Sequence, residues 1–229
     1  MDAARSGKVV KSLLALGSGV VVSLCAYSAF KYWKKRDAKS IDEGFEDVSR
    51  LEETPDKKIV VLGLEGAGKS TILSQIVVSR KSNEGVIPTE GFVNTRYQKG
   101  DVPLSIWEVG GRESSRRYWG KFLQDTDLLV FVVDASNRSN LPLASKEIKK
   151  LLGDDRLTQV PVLLIANKQD IPGAMTPKEV ATALDIDSFP TLKSRLKVLG
   201  TQALPQEQDA RHPSIVEVEK ALLTMSQSC

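Results

Sequence analysis

Between residues 63 and 70 the chain reads Gly63-Leu64-Glu65-Gly66-Ala67-Gly68-Lys69-Ser70: a glycine, four variable positions, then glycine, lysine and a hydroxyl residue. Its flanks make this the most constraining segment. The β-branched run KIVVLG (58–63) predicts a short buried strand before it, and TILSQIVVS (71–79) predicts a helix after it. A strand that turns through glycines into a helix collects backbone N–H groups at a helix N-terminus, where partial positive charge favours anions. Such a ring suits a polyphosphate. Gly63, Glu65, Gly66, Ala67 and Gly68 supply the loop, Lys69 reaches the β- and γ-phosphates, Ser70 offers a hydroxyl to Mg²⁺, and Thr71 supports the α-phosphate side.

A second signal lies about a hundred residues on. Val160 to Ala166 is a continuous apolar run that ends on Asn167-Lys168-Gln169-Asp170, at the edge where open parallel sheets bind ligands. The Asp170 carboxylate can accept hydrogen bonds from guanine N1–H and its exocyclic amine. Adenine lacks the N1–H and would leave that acceptor unpaired, at about 1–3 kcal/mol. A guanine nucleotide, GTP or GDP, is therefore expected over an adenine nucleotide.

With these two motifs in place, residues 57 to 227 resemble a divergent Arf-like small GTPase of the Ras superfamily. The likeness is carried by Ile87-Pro88-Thr89-Glu90-Gly91-Phe92, by Trp107-Glu108-Val109-Gly110-Gly111-Arg112, and by the Asn-Lys-Gln-Asp form of the base reader. It implies a P-loop NTPase small G domain: α/β, with a doubly wound, mostly parallel six-stranded sheet. It also implies that Thr89 and the Gly111 N–H mark the γ-phosphate, and that Thr89 completes a Mg²⁺ shell with Ser70 and, through water, Glu108. Asn167, Lys168 and Asp170 would hold the base, with Gln202 and Ala203 of Thr201-Gln202-Ala203 closing over it. Phe92, Trp107 and Phe122 match an aromatic trio that Arf proteins present to effectors, although each could equally be core. FVNTRYQ and VPLSIWEV, joined through Lys99-Gly100-Asp101, read as a β-hairpin.

Three departures bear on mechanism. Glu108 stands where the family carries aspartate, so its extra methylene is expected to displace the water-mediated hold on Mg²⁺. Arg112 takes the place of the glutamine that orients the attacking water. A guanidinium has five donors and no acceptor, so Arg112 is a doubtful catalytic residue and unaided hydrolysis should be slow. Glu90 adds a charge to the first switch segment.

The formal charge of +3 hides an asymmetry, because residues 1–36 hold seven Lys and Arg against Asp2 alone and leave the remainder at −3. A mildly acidic body argues against nucleic acid as a partner. Cys25 and Cys229 draw no disulfide framework, and the single histidine, His212, reads as a surface residue rather than a ligand or base. From Ser12 to Phe30 the chain is uncharged, and 19 helical residues reach about 28 Å, close to a bilayer core. Lys8 and Lys11 precede this run, and Tyr32, Trp33, Lys34, Lys35 and Arg36 follow it, as at the ends of a membrane span. The same start would serve a cleaved signal peptide or a mitochondrial targeting sequence. Secretion, however, would remove the domain from cytosolic GTP, which favours an uncleaved anchor. Asp2 and a terminal cysteine leave no lipidation box, so attachment is expected from the span itself.

The expected organisation is a flank at 1–11, a transmembrane signal-anchor helix at 12–33, an acidic tether at 34–56 and an Arf-like, monomeric G domain at 57–229. The G domain would face the cytosol, on the mitochondrial outer membrane or the endoplasmic reticulum. As an Arf-like switch it would use GTP/GDP with Mg²⁺ and meet effectors, exchange factors and GTPase-activating proteins. The alternative is a non-catalytic, GTP-bound interaction module.

Overall fold

Four largely apolar runs, rich in stiff β-branched residues that disfavour a helix, make the centre of one sheet, and two half-exposed strands form its edges. The computed structural model describes residues 56–77, 89–100, 102–203 and 211–227, all within the unit Asp47–Cys229. The anchor expected at 12–33, the flank before it and the tether as far as residue 55 lie outside the described residues. Among the described residues no helix is long and apolar enough to cross a membrane.

The strands are β1 (Lys57–Leu62), β2 (Phe92–Lys99), β3 (Val102–Val109), β4 (Leu128–Asp134), β5 (Val162–Asn167) and β6 (Leu196–Gly200), in the order β2-β3-β1-β4-β5-β6. Only the β2–β3 hairpin is antiparallel, with Phe92 opposite Val109 and Lys99 opposite Val102. The other pairs are parallel, with Val60 beside Trp107, Val61 beside Val130 and Asp134 beside Asn167. The sheet thus matches the doubly wound, mostly parallel, six-stranded arrangement expected.

Successive residues point to opposite faces, and the inner strands are buried on both. Ile59, Val61, Ile106, Val130, Val132 and Ile165 pack against α1 (Lys69–Ile76) and α5 (Pro213–Met225) through Ile72, Ile76, Ile215, Val218 and Leu222. Val60, Leu62, Leu129 and Phe131 alternate with them and are also buried. On that side Trp119 meets Phe131 edge-on at 6.2 Å.

Helix ends follow local chemistry. The short α2 (Glu113–Arg116) follows the glycine pair Gly110-Gly111 with Arg112 between them as its N-cap. In α3 (Leu141–Leu152) the residues Leu141, Ala144, Ile148 and Leu151 recur at helical spacing on the buried face, and Lys149 and Lys150 sit in the last turn, where the helix dipole favours cations. A reciprocal Thr176–Glu179 capping box starts α4 (Pro177–Ala183). His212 proves to be an N-cap: its Nδ1 accepts from the Ser214 N–H at 3.2 Å at the head of α5. The order reverses at β1, whose neighbours are β3 and β4, so the C-terminal ends of β1, β4 and β5 open on a crevice.

Candidate functional site

A cavity of about 450 Å³ lies at those strand ends, within the range of small-molecule sites. Its floor is the loop between β1 and α1. Gly68 takes φ +92°, and a Cβ there would fall 2.2 Å from the Asn167 side-chain nitrogen, so both backbone conformation and close approach require glycine. α1 begins at the next residue and carries no acid in its first turn, which leaves its N-terminal N–H groups and their positive end unopposed. Lys69 curls over the loop, donating to the carbonyls of Gly63 at 2.8 Å and Leu64 at 3.1 Å. Burial lowers its pKa to about 8, against the opposing pull of Glu108 and Glu65. Ser70 and Thr71 line the cavity beside it.

The far wall is built by β5 and the loop after β6. Asn167, 2% exposed, donates to the Ala67 carbonyl at 2.8 Å and accepts from the Thr201 hydroxyl at 2.8 Å. One amide therefore joins the phosphate loop to both base-side loops. Lys168 sits at φ +65°, and its ammonium donates to Asp134 at 2.6 Å. Burial works against the Asp134 charge, yet the hydrogen bonds from Lys168 and Ser136 outweigh it and hold the carboxyl below the usual range. Asp170 is exposed on the cavity wall, and its carboxylate has no partner among the described residues, as an acceptor reserved for a ligand should.

Between these walls Ser70 Oγ, Thr89 Oγ1 and Glu108 Oε1 converge. Thr89 stands 3.2 Å from Ser70 and 3.1 Å from Glu108, and the Ser70 hydroxyl also donates to Glu108. Three hard oxygen donors, one of them anionic, fit the needs of Mg²⁺. The Glu108 carboxylate reaches both hydroxyls directly. Gly111 closes the corner from β3: a Cβ there would lie 2.3 Å from the Leu64 carbonyl carbon and 2.4 Å from the Glu65 nitrogen.

Arg112 lines the cavity mouth but is committed elsewhere. Its Nε donates to Glu65 at 2.8 Å and its Nη1 to Glu90 at 2.8 Å. The hydrogen bond to Glu65, that residue's charge and then Glu90 raise the Arg112 pKa further.

Of the residues read from sequence, Gly63, Ala67 and Gln202 do not line the cavity. The first two act through carbonyls that hold Lys69 and Asn167, and Gln202 bonds through its N–H to Ser214 at 3.3 Å. Ala203 does line it, with its carbonyl held by Gln75 at 2.5 Å. The aromatic trio forms, with Phe92, Trp107 and Phe122 centroids 5.2–5.9 Å apart. Trp107 and Phe122 are buried and Phe92 is half-buried, so in this arrangement the trio packs largely inward. Sequence reasoning missed Asp134, whose only signal was an acid at a strand's end, and Ile171, which lines the base side.

The ADP-ribosylation factor family profile matches residues 46–211, most of the chain. The chain belongs to the ADP-ribosylation factor family. It is 36% identical over 183 residues to ADP-ribosylation factor-like protein 10 of Mus musculus, covering 80% of this chain and 74% of that one. It is 39% identical to ADP-ribosylation factor-like protein 3 of Caenorhabditis elegans over 57% of this chain and 70% of that one. Among solved structures the Arl6 BBS3 small GTPase from Trypanosoma brucei, with its bound nucleotide analogue GppNp, superposes with a TM-score of 0.61. That likeness, at 24% identity over 74% of this chain and 99% of the other, is one of fold. The Arf-like fold is one that binds guanine nucleotide.

Proposed function

We propose that this Arf-like protein is a membrane-anchored guanine-nucleotide switch that binds GTP and GDP with Mg²⁺, recruits partners in the GTP state and hydrolyses GTP slowly. The observation that carries the reading is one cavity lined by a helix N-terminus with Lys69, by the Ser70–Thr89–Glu108 oxygens and by the Asp170 carboxylate, which is unpaired among the described residues. These are the complements of phosphates, a divalent cation and a guanine edge. Mg²⁺, when bound, would neutralise phosphate charge. The chain's own part is to hold the oxygens in place, with Lys69 against the phosphates and Asp170 against the base.

Binding is tested with a fluorescent GTP analogue on the full chain in detergent. Lys69→Ala should weaken GTP by about ten- to a hundredfold, the factor of a charged hydrogen bond. Asp170→Asn should move preference toward xanthine nucleotides, and equal competition by ATP would sink the base-reading argument.

A second reading, a GTP-bound module without turnover, is favoured by the commitment of Arg112 to Glu65 and Glu90. Single-turnover hydrolysis by the wild type and Arg112→Gln separates the two. A wild-type rate equal to buffer, raised by glutamine, selects the module.

The uncharged stretch from Ser12 to Phe30 with its basic flanks supports an anchor that leaves the G domain in the cytosol. Resistance of the full chain to alkaline carbonate extraction, lost on deleting residues 1–33, is the expected result. Imaging a fusion of residues 1–40 tests the mitochondrial outer membrane against the endoplasmic reticulum.

A further inference from the structure

Three loops meet at the mouth of the cavity through one side chain. Arg112 follows Gly111 at the end of β3, Glu90 follows Thr89 in the segment before β2, and Glu65 belongs to the phosphate loop. The guanidinium turns one edge to each carboxylate, both at 2.8 Å. Behind it the Gly111 backbone lies against Leu64 and Glu65, and the Gly110 N–H bonds the Gly91 carbonyl at 2.8 Å. One cation between two anions leaves this corner net negative, so it adds no positive charge for a phosphate to use. Its geometry instead joins segments: each residue expected to contact the third phosphate, Thr89 and Gly111, has a member of the trio as its next neighbour. A glutamine at 112 could form neither ion pair.

We infer that Arg112 is a latch that holds the Thr89–Glu90 segment to the Gly111 loop and the phosphate loop, so that the two segments stay docked and nucleotide leaves slowly even when the third phosphate is absent. The inference rests on the guanine-nucleotide reading. The latch carries in cis part of what a third phosphate does by bonding both segments at once. The diphosphate state gains most from it, because the triphosphate already holds both segments. Release of GDP should therefore depend on Arg112 and Glu90 more than release of GTP does.

The test is the dissociation rate of methylanthraniloyl-GDP and methylanthraniloyl-GTP from the full chain with Mg²⁺, chased with unlabelled nucleotide. Arg112→Gln and Glu90→Gln should each speed GDP release by about one and a half- to fivefold, the range of exposed ion pairs, with a smaller effect on GTP. The double variant should release GDP no faster than Arg112→Gln alone, since that change already breaks the Glu90 pair. Rates equal to wild type, additive effects, or equal acceleration of both nucleotides as from general loosening would overturn the latch. Failure of the wild type to bind either probe would instead overturn the guanine-nucleotide reading, and the latch with it.

Discussion

Asn167 and Arg112 do the same mechanical job, each tying together segments far apart in sequence, but in opposite surroundings. The Asn167 amide is 2% exposed and bonds Ala67 and Thr201, both also buried. The Arg112 side chain is 40% exposed, and its partners Glu65 and Glu90 are 47% and 71% exposed. A buried joint that is broken leaves donors and acceptors with no water to take them, whereas an exposed one exchanges its partners for solvent at small cost. The first kind makes a permanent wall and the second a contact that can open and close. Asn167 gives the base side of the cavity a joint of the former kind, and Arg112 gives the switch side one of the latter.

The largest expected effect breaks the permanent joint. Asn167→Ala orphans the Ala67 carbonyl and the Thr201 hydroxyl and should destabilise the fold by about 2–4 kcal/mol, lowering the melting temperature by about 5–15 °C. Arg112→Ala should move it by about 2 °C or less. Thermal denaturation of the two variants checks the contrast, and equal shifts would erase it.

A joint of intermediate exposure links β2 to α5. Glu219, 3% exposed, accepts from the Tyr97 hydroxyl and binds Lys99 at 2.8 Å and Arg211 at 3.2 Å. Burial opposes its charge, but the bonds from Lys99, Tyr97 and Arg211 prevail and lower its pKa. Burial and Glu219 together push the Tyr97 phenol up to about 12, so it remains a donor throughout the acid range. A carboxyl with a lowered folded pKa contributes stability that is full above its unfolded value of 4.5 and is lost as pH falls through the folded value. Glu219→Gln should therefore cost about 1 kcal/mol at neutral pH, a figure kept small by screening of the half-exposed cations. The urea midpoints of wild type and variant should draw together as pH drops below 4.5. A gap independent of pH would mean that packing, not charge, holds the hairpin there.

What could be read from the sequence follows the same division. The phosphate loop and the base reader are contiguous, and their chemistry is mostly that of backbone and helix end, so residues 63–70 and 167–170 announced themselves. The buried strands were legible as apolar runs, whereas β6, half-exposed along LKVLG, gave a weaker signal. Joints between distant residues were not legible. Arg112 stands 47 positions from Glu65 and 22 from Glu90, and Lys168 stands 34 from Asp134. The nearness of Glu108 to the Ser70 and Thr89 hydroxyls was not legible either, because it is set by the packing of β1, β3 and the loop before β2. Phe92, Trp107 and Phe122 matched a pattern, but whether such a trio faces solvent depends on what packs over that face of β2 and β3.

The smallest effect separates the two kinds of joint without any mutation. Salt screens exposed charges, with a Debye length of about 10 Å at 0.1 M and about 3 Å at 1 M, and leaves neutral buried hydrogen bonds nearly untouched. Raising NaCl from about 0.1 to 1 M should thus loosen the Glu65–Arg112–Glu90 contact while sparing Ala67–Asn167–Thr201. Amide hydrogen exchange followed by mass spectrometry should show residues 89–92 and 110–113 exchanging about two- to threefold faster, with 165–168 and 199–202 unchanged. The Gly110 N–H is the most telling probe, since it bonds the Gly91 carbonyl across the two segments that the arginine holds together. If its exchange is indifferent to salt, the two segments are held by the backbone contact alone, and the distinction between a permanent wall and an ionic one would have to be drawn elsewhere in the molecule.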